Sequence, residues 1–171
     1  IVAGSISLGV AIALFLFLFY YTITTRNPPF DLMGSEGMEM NFHSVYRDPF
    51  AARHLYALLL ERTPGESISH KAIPSMEDHV LFVLSKPYRE WMLMEENGRM
   101  VGAVYVTHQY EIGIAVFKQW RHRGYGRRAL DLVRRNFAGH RLLANINPEN
   151  KDSIRFFTSH GARLIQHTYE L

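Results

Sequence analysis

The sequence predicts an α/β protein of the α+β type, with a mixed but mostly antiparallel central sheet flanked by helices and an additional N-terminal transmembrane helix. Three observations support this fold class. Asn97-Gly98 lies between two apolar alternating runs, a pattern typical of a tight β-hairpin. A glycine-containing segment at 121–127 joins an alternating strand pattern to a helical one. Residues 1–22 carry no charged side chain, which favours a membrane span.

The apolar segment 1–22 is long enough to cross a hydrocarbon core of about 30 Å at about 1.5 Å per residue. Arg26 is the first charged residue, so the positive-inside rule predicts a single-pass protein whose C-terminal part is cytoplasmic. Ser5, Gly9 and Ala13 share one helical face, which suits contact with a partner helix or, equally, with lipid. A cleaved signal peptide is the alternative, disfavoured because a basic n-region and a small-residue cleavage pattern are both missing.

The predicted organisation has three parts: a transmembrane helix at 1–23, a linker at 24–39 and one domain at 40–171. The linker contains Asn27-Pro28-Pro29 and glycines that neither a helix nor a strand tolerates well. A chain of 171 residues with 47% apolar residues allows one sizeable core, so a second catalytic domain is not expected.

Charge and cysteine content narrow the class of function. The net charge is +3, but six arginines fall within 121–135 and create a local field suited to a phosphate-rich ligand. Nucleic-acid binding is not expected, because no aromatic-interleaved basic groove accompanies the cluster. The sequence has no cysteine, which excludes disulfides, thiolate metal sites and an acyl-cysteine intermediate. No metal site is predicted, since no histidine pair has a metal-ligand pattern with a third partner.

The elements before the hairpin follow from alternation, proline positions and capping signals. In chain order they are a strand at 40–46, a helix from Asp48-Pro49 to Arg62, and a helix that begins at Ser75 and that Pro87 ends. The hairpin then pairs strands at 91–95 and 100–107.

The elements after the hairpin surround the glycine-containing segment. A strand at 110–117 precedes it, and a helix carrying Leu130, Val133 and Phe137 follows. A strand at 141–146 must lie parallel to its predecessor if the crossover is right-handed. A helix at 150–160 and a strand at 162–169 complete the predicted domain.

The glycine segment, Arg121-x-x-Gly124-x-Gly126, follows the strand sequence EIGIAV and resembles the pyrophosphate loop of the GNAT superfamily of acyl-CoA-dependent N-acyltransferases. A second element strengthens the resemblance: Asn145 to Asn150, then Ser153-Ile154-Arg155-Phe156-Phe157 and Gly161, is similar to another segment of this family at the expected distance. The resemblance covers about 40–171. It implies a GNAT fold, acetyl-CoA as co-substrate, and transfer of the acetyl group to a primary amine by direct attack in a ternary complex.

The resemblance also implies which residues contact acetyl-CoA. Backbone groups around Ile114 and Val116 would hold the pantetheine arm and orient the acetyl carbonyl, and Asn147 and Asn150 match positions near that arm. Asn150 is equally a candidate N-cap for the last helix. The pyrophosphate loop itself comprises Arg121, His122, Arg123, Gly124, Tyr125, Gly126 and Arg127.

Glu111 is the predicted general base, because family members often carry an acidic residue at the start of this strand that deprotonates the amine through water. A solvated carboxylate at a strand end is its simpler interpretation, and His108 is an alternative base. Phe157 departs from the family pattern. It stands where many members carry a tyrosine that protonates the leaving thiolate, and phenylalanine has no proton to donate.

The identity of the acceptor amine is open: small amines, amino sugars on nucleotide carriers and protein amino groups all fit. The alternative function is a non-catalytic GNAT-like subunit of a membrane complex. Phe157 and the face of Ser5, Gly9 and Ala13 motivate that alternative.

Overall fold

The computed structural model describes residues 40–66 and 72–168, which belong to one unit of the chain, Met38–Leu171. The predicted transmembrane helix at 1–23, with its Ser5, Gly9 and Ala13 face, and the linker at 24–39 lie outside the described residues. Within the two described ranges, no helix is both long and apolar enough to cross a membrane.

Four strands form an antiparallel sheet in the order β1-β2-β3-β4. The predicted hairpin is confirmed, because Asn97 and Gly98 both adopt positive φ, at 51° and 74°, as a turn with two left-handed residues requires. Sheet and antiparallel pairing therefore follow the prediction for the first four strands. Their bounds are β1 Met40–Ser44, β2 Glu90–Glu96, β3 Arg99–Val106 and β4 Ile112–Val116.

Four α-helices lie between or after these strands: α1 Ala51–Leu60, α2 Met76–Leu84, α3 Tyr125–Asn136 and α4 Lys151–Ser159. Short 3-10 turns occupy Val45–Arg47, Pro64–Glu66 and Lys118–Trp120. Ser75 caps α2 as predicted, since its Oγ accepts the Asp78 N–H at 3.1 Å and donates to the Asp78 carboxylate at 2.6 Å. Helix α1 starts two residues after Pro49, because the Asp48 carboxylate takes the Phe50 N–H at 2.8 Å in a turn of its own.

The two faces of the sheet are buried against different helices. On one face, Val104, Val106 and Ile112 pack with Leu130 and Val133 of α3. On the other face, Leu93 and Ala103 pack with α1 and α2 in a cluster completed by Val45, Ala51, Leu55, Leu58, Val83 and Trp91. Successive residues of a strand point to opposite faces of the sheet, so the position of each β4 residue in the sequence determines which of the two clusters its side chain faces.

The predicted parallel strand at 141–146 is reduced to a single bridge between Glu111 and Leu143. The Ile112 N–H donates to the Leu143 carbonyl at 2.8 Å, and the Leu143 N–H donates to the Tyr110 carbonyl at 3.1 Å. The chain then turns, with the Asn150 N–H bonded to the Asn147 carbonyl at 2.9 Å. The described sheet is thus antiparallel with one parallel bridge, as the predicted mostly antiparallel sheet requires, and only the length of the parallel strand is corrected.

The predicted last strand at 162–169 is also wrong for the residues that are described, 162–168, which form no ladder. Leu164 and Ile165 are exposed there, at 74% and 51%. Apolar alternation gives a strand only where a neighbouring strand offers free backbone groups in register, and the segment at 141–146 forms a single bridge rather than a strand.

Candidate active site

Strand β4 has one edge that β3 does not use. Its pairing with β3 alternates, so the N–H and C=O groups of Ile112, Ile114 and Val116 point to the opposite edge. On that edge the bonds to 141–146 end at Ile112, and the Val116 carbonyl accepts the Arg121 Nε at 3.2 Å. Within the described ranges, the backbone of Ile114 on this edge therefore has no strand beside it. An extended ligand could bond there as a short strand would.

The segment after β4 leads directly into the start of α3. His122 and Gly124 both have left-handed backbones, at φ 62° and 86°, and Gly124 is the residue before the first helical position. No side chain caps this helix start, so the first N–H groups of α3 remain available. A helix start of this kind favours a bound anion, because its N–H groups and its dipole both point toward the ligand.

The arginines of the loop have three different roles. Arg121 is already engaged: its guanidinium forms an ion pair with Glu66 at 2.9 Å and bonds the Val116 carbonyl. Arg123 lies over the ring of Trp120, 4.9 Å from its centroid, and its residue is exposed. Arg127 is 73% exposed and lies 3.7 Å from Asp131. Arg123 and Arg127 therefore supply positive charge at the helix start, whereas Arg121 holds the loop against β4.

Tyr125 and Gly126 contribute their backbones rather than side chains to the helix start. The Tyr125 ring is buried, and its hydroxyl donates to the buried carboxylate of Glu96 on β2. A Cβ at Gly126 would lie 3.2 Å from the ring of Phe156 on α4, so glycine here permits close packing of two helices. The resemblance implies that both residues contact the cofactor, which their backbone N–H groups could do, while the Tyr125 side chain and the close approach of α4 at Gly126 hold α3 to the rest of the domain.

Glu111 lies immediately before β4, and its carboxylate accepts a hydrogen bond from Asn145 Nδ2 at 2.9 Å. Its N–H and carbonyl are held by Thr107, at 3.0 and 2.8 Å. Alternation along β4 directs Glu111 to the α1/α2 face, at the end of β4 opposite the loop. His108, the alternative base, is exposed in the preceding turn. Of the two candidate bases, Glu111 is half-buried and its carboxylate is held by Asn145, whereas His108 is exposed.

The two asparagines of the second element serve local structure. The Asn150 side chain accepts the Ser153 N–H at 3.0 Å and caps α4, as its simpler interpretation predicted. The Asn147 side chain accepts the Glu149 N–H at 2.9 Å within the turn. Phe157 packs edge-on against Phe156, with ring centroids 5.0 Å apart, beside the core on the α3 face.

Three residues that sequence reasoning did not select contribute to this region: Asn145 orients Glu111, Glu66 binds Arg121, and Tyr105 lies over Gly113. Asn145 belongs to the second GNAT-like element, but no local pattern links it to Glu111, 34 residues away, or links Glu66 to Arg121, 55 residues away. The position of Tyr105 did have a sequence signal in Gly113, because a glycine inside a strand often marks the close approach of another group to the backbone. No group of three histidine, aspartate or glutamate residues in the described chain is placed to hold a metal ion.

The described residues thus form an α/β domain with an antiparallel sheet, an open edge on β4, an uncapped helix start beyond that edge and a carboxylate immediately before β4. The family model for GNAT acetyltransferases matches residues 51–162, and the chain belongs to this family. No curated protein sequence matches the chain significantly.

Solved structures share the fold at low sequence identity. An acetyltransferase from Thermus thermophilus is 20% identical with a TM-score of 0.59, covering 74% of this chain and 88% of its own. The aminoglycoside N-acetyltransferase AAC(6')-Iy in complex with CoA is 16% identical with a TM-score of 0.57, covering 81% and 100%. A Salmonella typhimurium protein crystallised with its cofactor acetyl-CoA is 18% identical with a TM-score of 0.54, covering 74% and 79%.

Proposed function

We propose that this protein is an N-acetyltransferase that moves the acetyl group of acetyl-CoA to a primary amine. The observation that carries the proposal is the open edge of β4 at Ile114, which runs from Glu111 at one end to the uncapped start of α3 at the other. This arrangement suits a long ligand with phosphates at one end and a reactive thioester at the other. Two structural neighbours were crystallised with a ligand of this shape, acetyl-CoA in one and the corresponding thiol, CoA, in the other.

The residues of the loop fit the diphosphate of acetyl-CoA through their backbone. The first N–H groups of α3, from Tyr125, Gly126 and Arg127, would bond its oxygens, and Arg123 and Arg127 would add positive charge. Gly124 has no side chain and a Cβ there would meet nothing within 4 Å, so the approach to this helix start is open. The pantetheine amides would bond the N–H and C=O groups of Ile114 and the N–H of Val116, whose carbonyl already accepts the Arg121 Nε.

Glu111 is proposed to accept the proton of the attacking amine. Amine attack on a thioester requires the nitrogen lone pair to be free, which a carboxylate at this position provides directly or through one water. Asn145 holds the Glu111 carboxylate in place, so little ordering remains to be done when the acceptor binds. Direct attack in a ternary complex fits a sequence without cysteine.

Calorimetry with acetyl-CoA tests the loop assignment. Gly124→Val should abolish measurable binding, because a β-branched side chain projects toward the ligand from a left-handed backbone. Gly139→Val is the matched control: Gly139 has the same φ of 86°, nothing within 4 Å of its Cβ position, and lies beyond the other end of α3. Unchanged binding by a folded Gly124→Val protein would show that the loop does not hold the diphosphate.

We also propose that residues 1–22 anchor the protein in a membrane, with 24–39 as a linker and the domain at 40–171 on the cytoplasmic side, where acetyl-CoA is made. Support comes from the uncharged apolar sequence alone. Protease added to intact cells should leave the domain uncut and degrade it only after lysis. Cleavage from outside would contradict the cytoplasmic orientation. Recovery of the full chain in the aqueous fraction would contradict the membrane anchor.

Phe157, which has no proton to donate, supports a second candidate function: a non-catalytic GNAT-like subunit of a membrane complex. The two functions give different results in two measurements. An enzyme releases thiol from acetyl-CoA in the presence of at least one amine from a panel of small amines, amino sugars on nucleotide carriers and peptides. A subunit releases none and instead co-purifies with a stoichiometric membrane partner.

A further inference from the structure

We propose that Tyr105 is a further catalytic residue, the proton donor to the departing thiolate, in the role for which Phe157 lacks a proton. The inference rests on the proposed acetyltransferase function. Tyr105 lies on β3 directly opposite Gly113 of β4. Because Gly113 has no side chain, the Tyr105 ring lies across the strand there, and a Cβ at Gly113 would overlap both the ring and its hydroxyl oxygen.

The position of this hydroxyl is the first argument. Gly113 is the residue between Ile112, where the bonds to 141–146 end, and Ile114, whose backbone edge is open. The Tyr105 hydroxyl therefore lies beside the part of β4 where the thioester would be held. Glu111 is two residues before Gly113 and faces the same side of the sheet. A proton acceptor for the amine and a proton donor for sulfur are thus both available at one end of β4.

The surroundings of Tyr105 favour the protonated form of its phenol. The Tyr88 ring stacks on it, with centroids 4.1 Å apart and planes 8° apart, and Trp91 packs edge-on at 6.4 Å. Burial raises the pKa of Tyr105, with the negative charge of Glu111 contributing, so the phenol is protonated at neutral pH. Two rigid aromatic neighbours also fix the direction of the hydroxyl.

The transfer of the acetyl group needs no proton donor or acceptor besides Tyr105 and Glu111. The acceptor nitrogen forms the new C–N bond, the C–S bond breaks, and sulfur takes the bonding electron pair. Tyr105 gives its phenol proton to sulfur, which produces the free thiol, while Glu111 takes a proton from nitrogen. Transfer of that proton from Glu111 to the Tyr105 phenolate then restores both residues. The net products are an amide and a thiol.

Kinetics of Tyr105→Phe provide the first test, with Tyr110→Phe as the control. The ring and its stacking are retained in Tyr105→Phe, so kcat should fall by roughly 10²-fold or more while acetyl-CoA affinity stays within a fewfold. Loss of the phenol should also remove the limb of the kcat profile that falls at high pH. Tyr110 packs on the opposite face with Phe137 and His140, so Tyr110→Phe should stay within twofold of wild type.

A binding measurement without turnover provides the second test. In protein carrying ¹³C-labelled tyrosine, the Tyr105 Cζ resonance, identified by its loss in Tyr105→Phe, should move when CoA is added. It should stay in place with desulfo-CoA, which lacks the sulfur. Equal movement with both ligands, or a Tyr105→Phe enzyme as active as wild type, would overturn the role of Tyr105. A wild type that turns over no amine, or binds no acetyl-CoA, would instead contradict the acetyltransferase function itself.

Discussion

The hydroxyl of Tyr125 donates to the carboxylate of Glu96, which joins the first turn of α3 to the end of β2. Arg128, one turn further along α3, donates to the other oxygen of Glu96 at 3.0 Å. Both Glu96 and Tyr125 are buried, at 7% and 5% exposure. The helix start that we propose as the anion site is therefore held in place from within the fold by a buried carboxylate with two donors.

Removing the Tyr125 hydroxyl should destabilise the protein. Tyr125→Phe leaves the buried Glu96 with one donor fewer, and a lost hydrogen bond to a buried charged group costs roughly 1.5–3 kcal/mol. Denaturant unfolding at pH 7 measures this cost. Tyr56→Phe is the control, since the hydroxyl of Tyr56 bonds a neutral carbonyl, that of Pro74, at 3.1 Å. An equal loss in both variants would mean that the charge of Glu96 is irrelevant.

The same tyrosine should make stability sensitive to alkali. Burial, the hydrogen bond to Glu96 and the charge of Glu96 raise the pKa of Tyr125 to about 12, from 10.0. A pKa raised on folding gives stability that is complete below pH 10 and is lost as pH rises toward 12. Unfolding free energies at pH 8 and pH 11 should therefore differ less in Tyr125→Phe than in wild type. Tyr88, whose pKa burial also raises to about 12, accounts for part of the remaining slope.

Arg121 is expected to position the loop rather than contact the diphosphate, because Glu66 already binds its guanidinium. Both Arg121→Ala and Glu66→Ala should then weaken acetyl-CoA binding by a similar, modest factor, and the double variant should be no worse than either. Calorimetry on the three variants checks this double-mutant cycle. If Arg121 is a direct ligand, Glu66→Ala should instead free it and leave binding unchanged or stronger.

His79 should make the packing of α1 against α2 sensitive to acid. Its side chain is buried, its Nε2 has no hydrogen-bond partner among the described residues, and burial lowers its pKa below 6.5. A histidine pKa lowered on folding gives stability that is complete above pH 6.5 and is lost as pH falls, by at most about 1.4 kcal/mol per pH unit.

Denaturant unfolding of His79→Phe between pH 7.5 and pH 5.5 isolates this contribution. Phenylalanine keeps the ring contact with Tyr56, 5.3 Å away, and removes the titration, so the acid slope should decrease. His108→Phe, at an exposed position, is the control and should leave the slope unchanged. The pKa of His54 is also lowered by burial, so some slope should remain in His79→Phe. A slope that His79→Phe leaves intact would assign the acid sensitivity to His54.

Glu111→Gln should lower kcat/KM by roughly 10² to 10⁴, the usual range for a general base, while acetyl-CoA affinity stays nearly the same. Glutamine keeps an oxygen that can accept from Asn145, so the variant changes charge more than geometry. Phe157→Tyr should alter kcat little if Tyr105 already donates the proton. Steady-state rates with an accepted amine measure both, and a Glu111→Gln enzyme equal to wild type would leave His108 or water as the base.

Local chemistry explains the features that sequence reasoning predicted. The Asn97-Gly98 turn, the Ser75 cap and the left-handed Gly124 before α3 each depend on backbone angles and hydrogen bonds within about four residues. Our proposal that the loop binds an anion rests on features of the same kind, the left-handed Gly124 and the uncapped N–H groups that follow it. The failed predictions concern pairing, because the strands at 141–146 and 162–169 required a partner edge that the sequence pattern does not describe.

Only the tertiary structure shows which distant side chains contact the predicted site residues. Arg121 lies 55 residues from Glu66, Tyr125 lies 29 from Glu96, and Glu111 lies 34 from Asn145, so no local pattern connects the members of these pairs. The sequence determined by itself that a glycine loop opens a helix after an apolar strand, because turn geometry is a property of neighbouring residues. Whether an arginine of that loop faces a ligand or a carboxylate depends on which distant residue packs beside it, and only the folded chain brings that residue there.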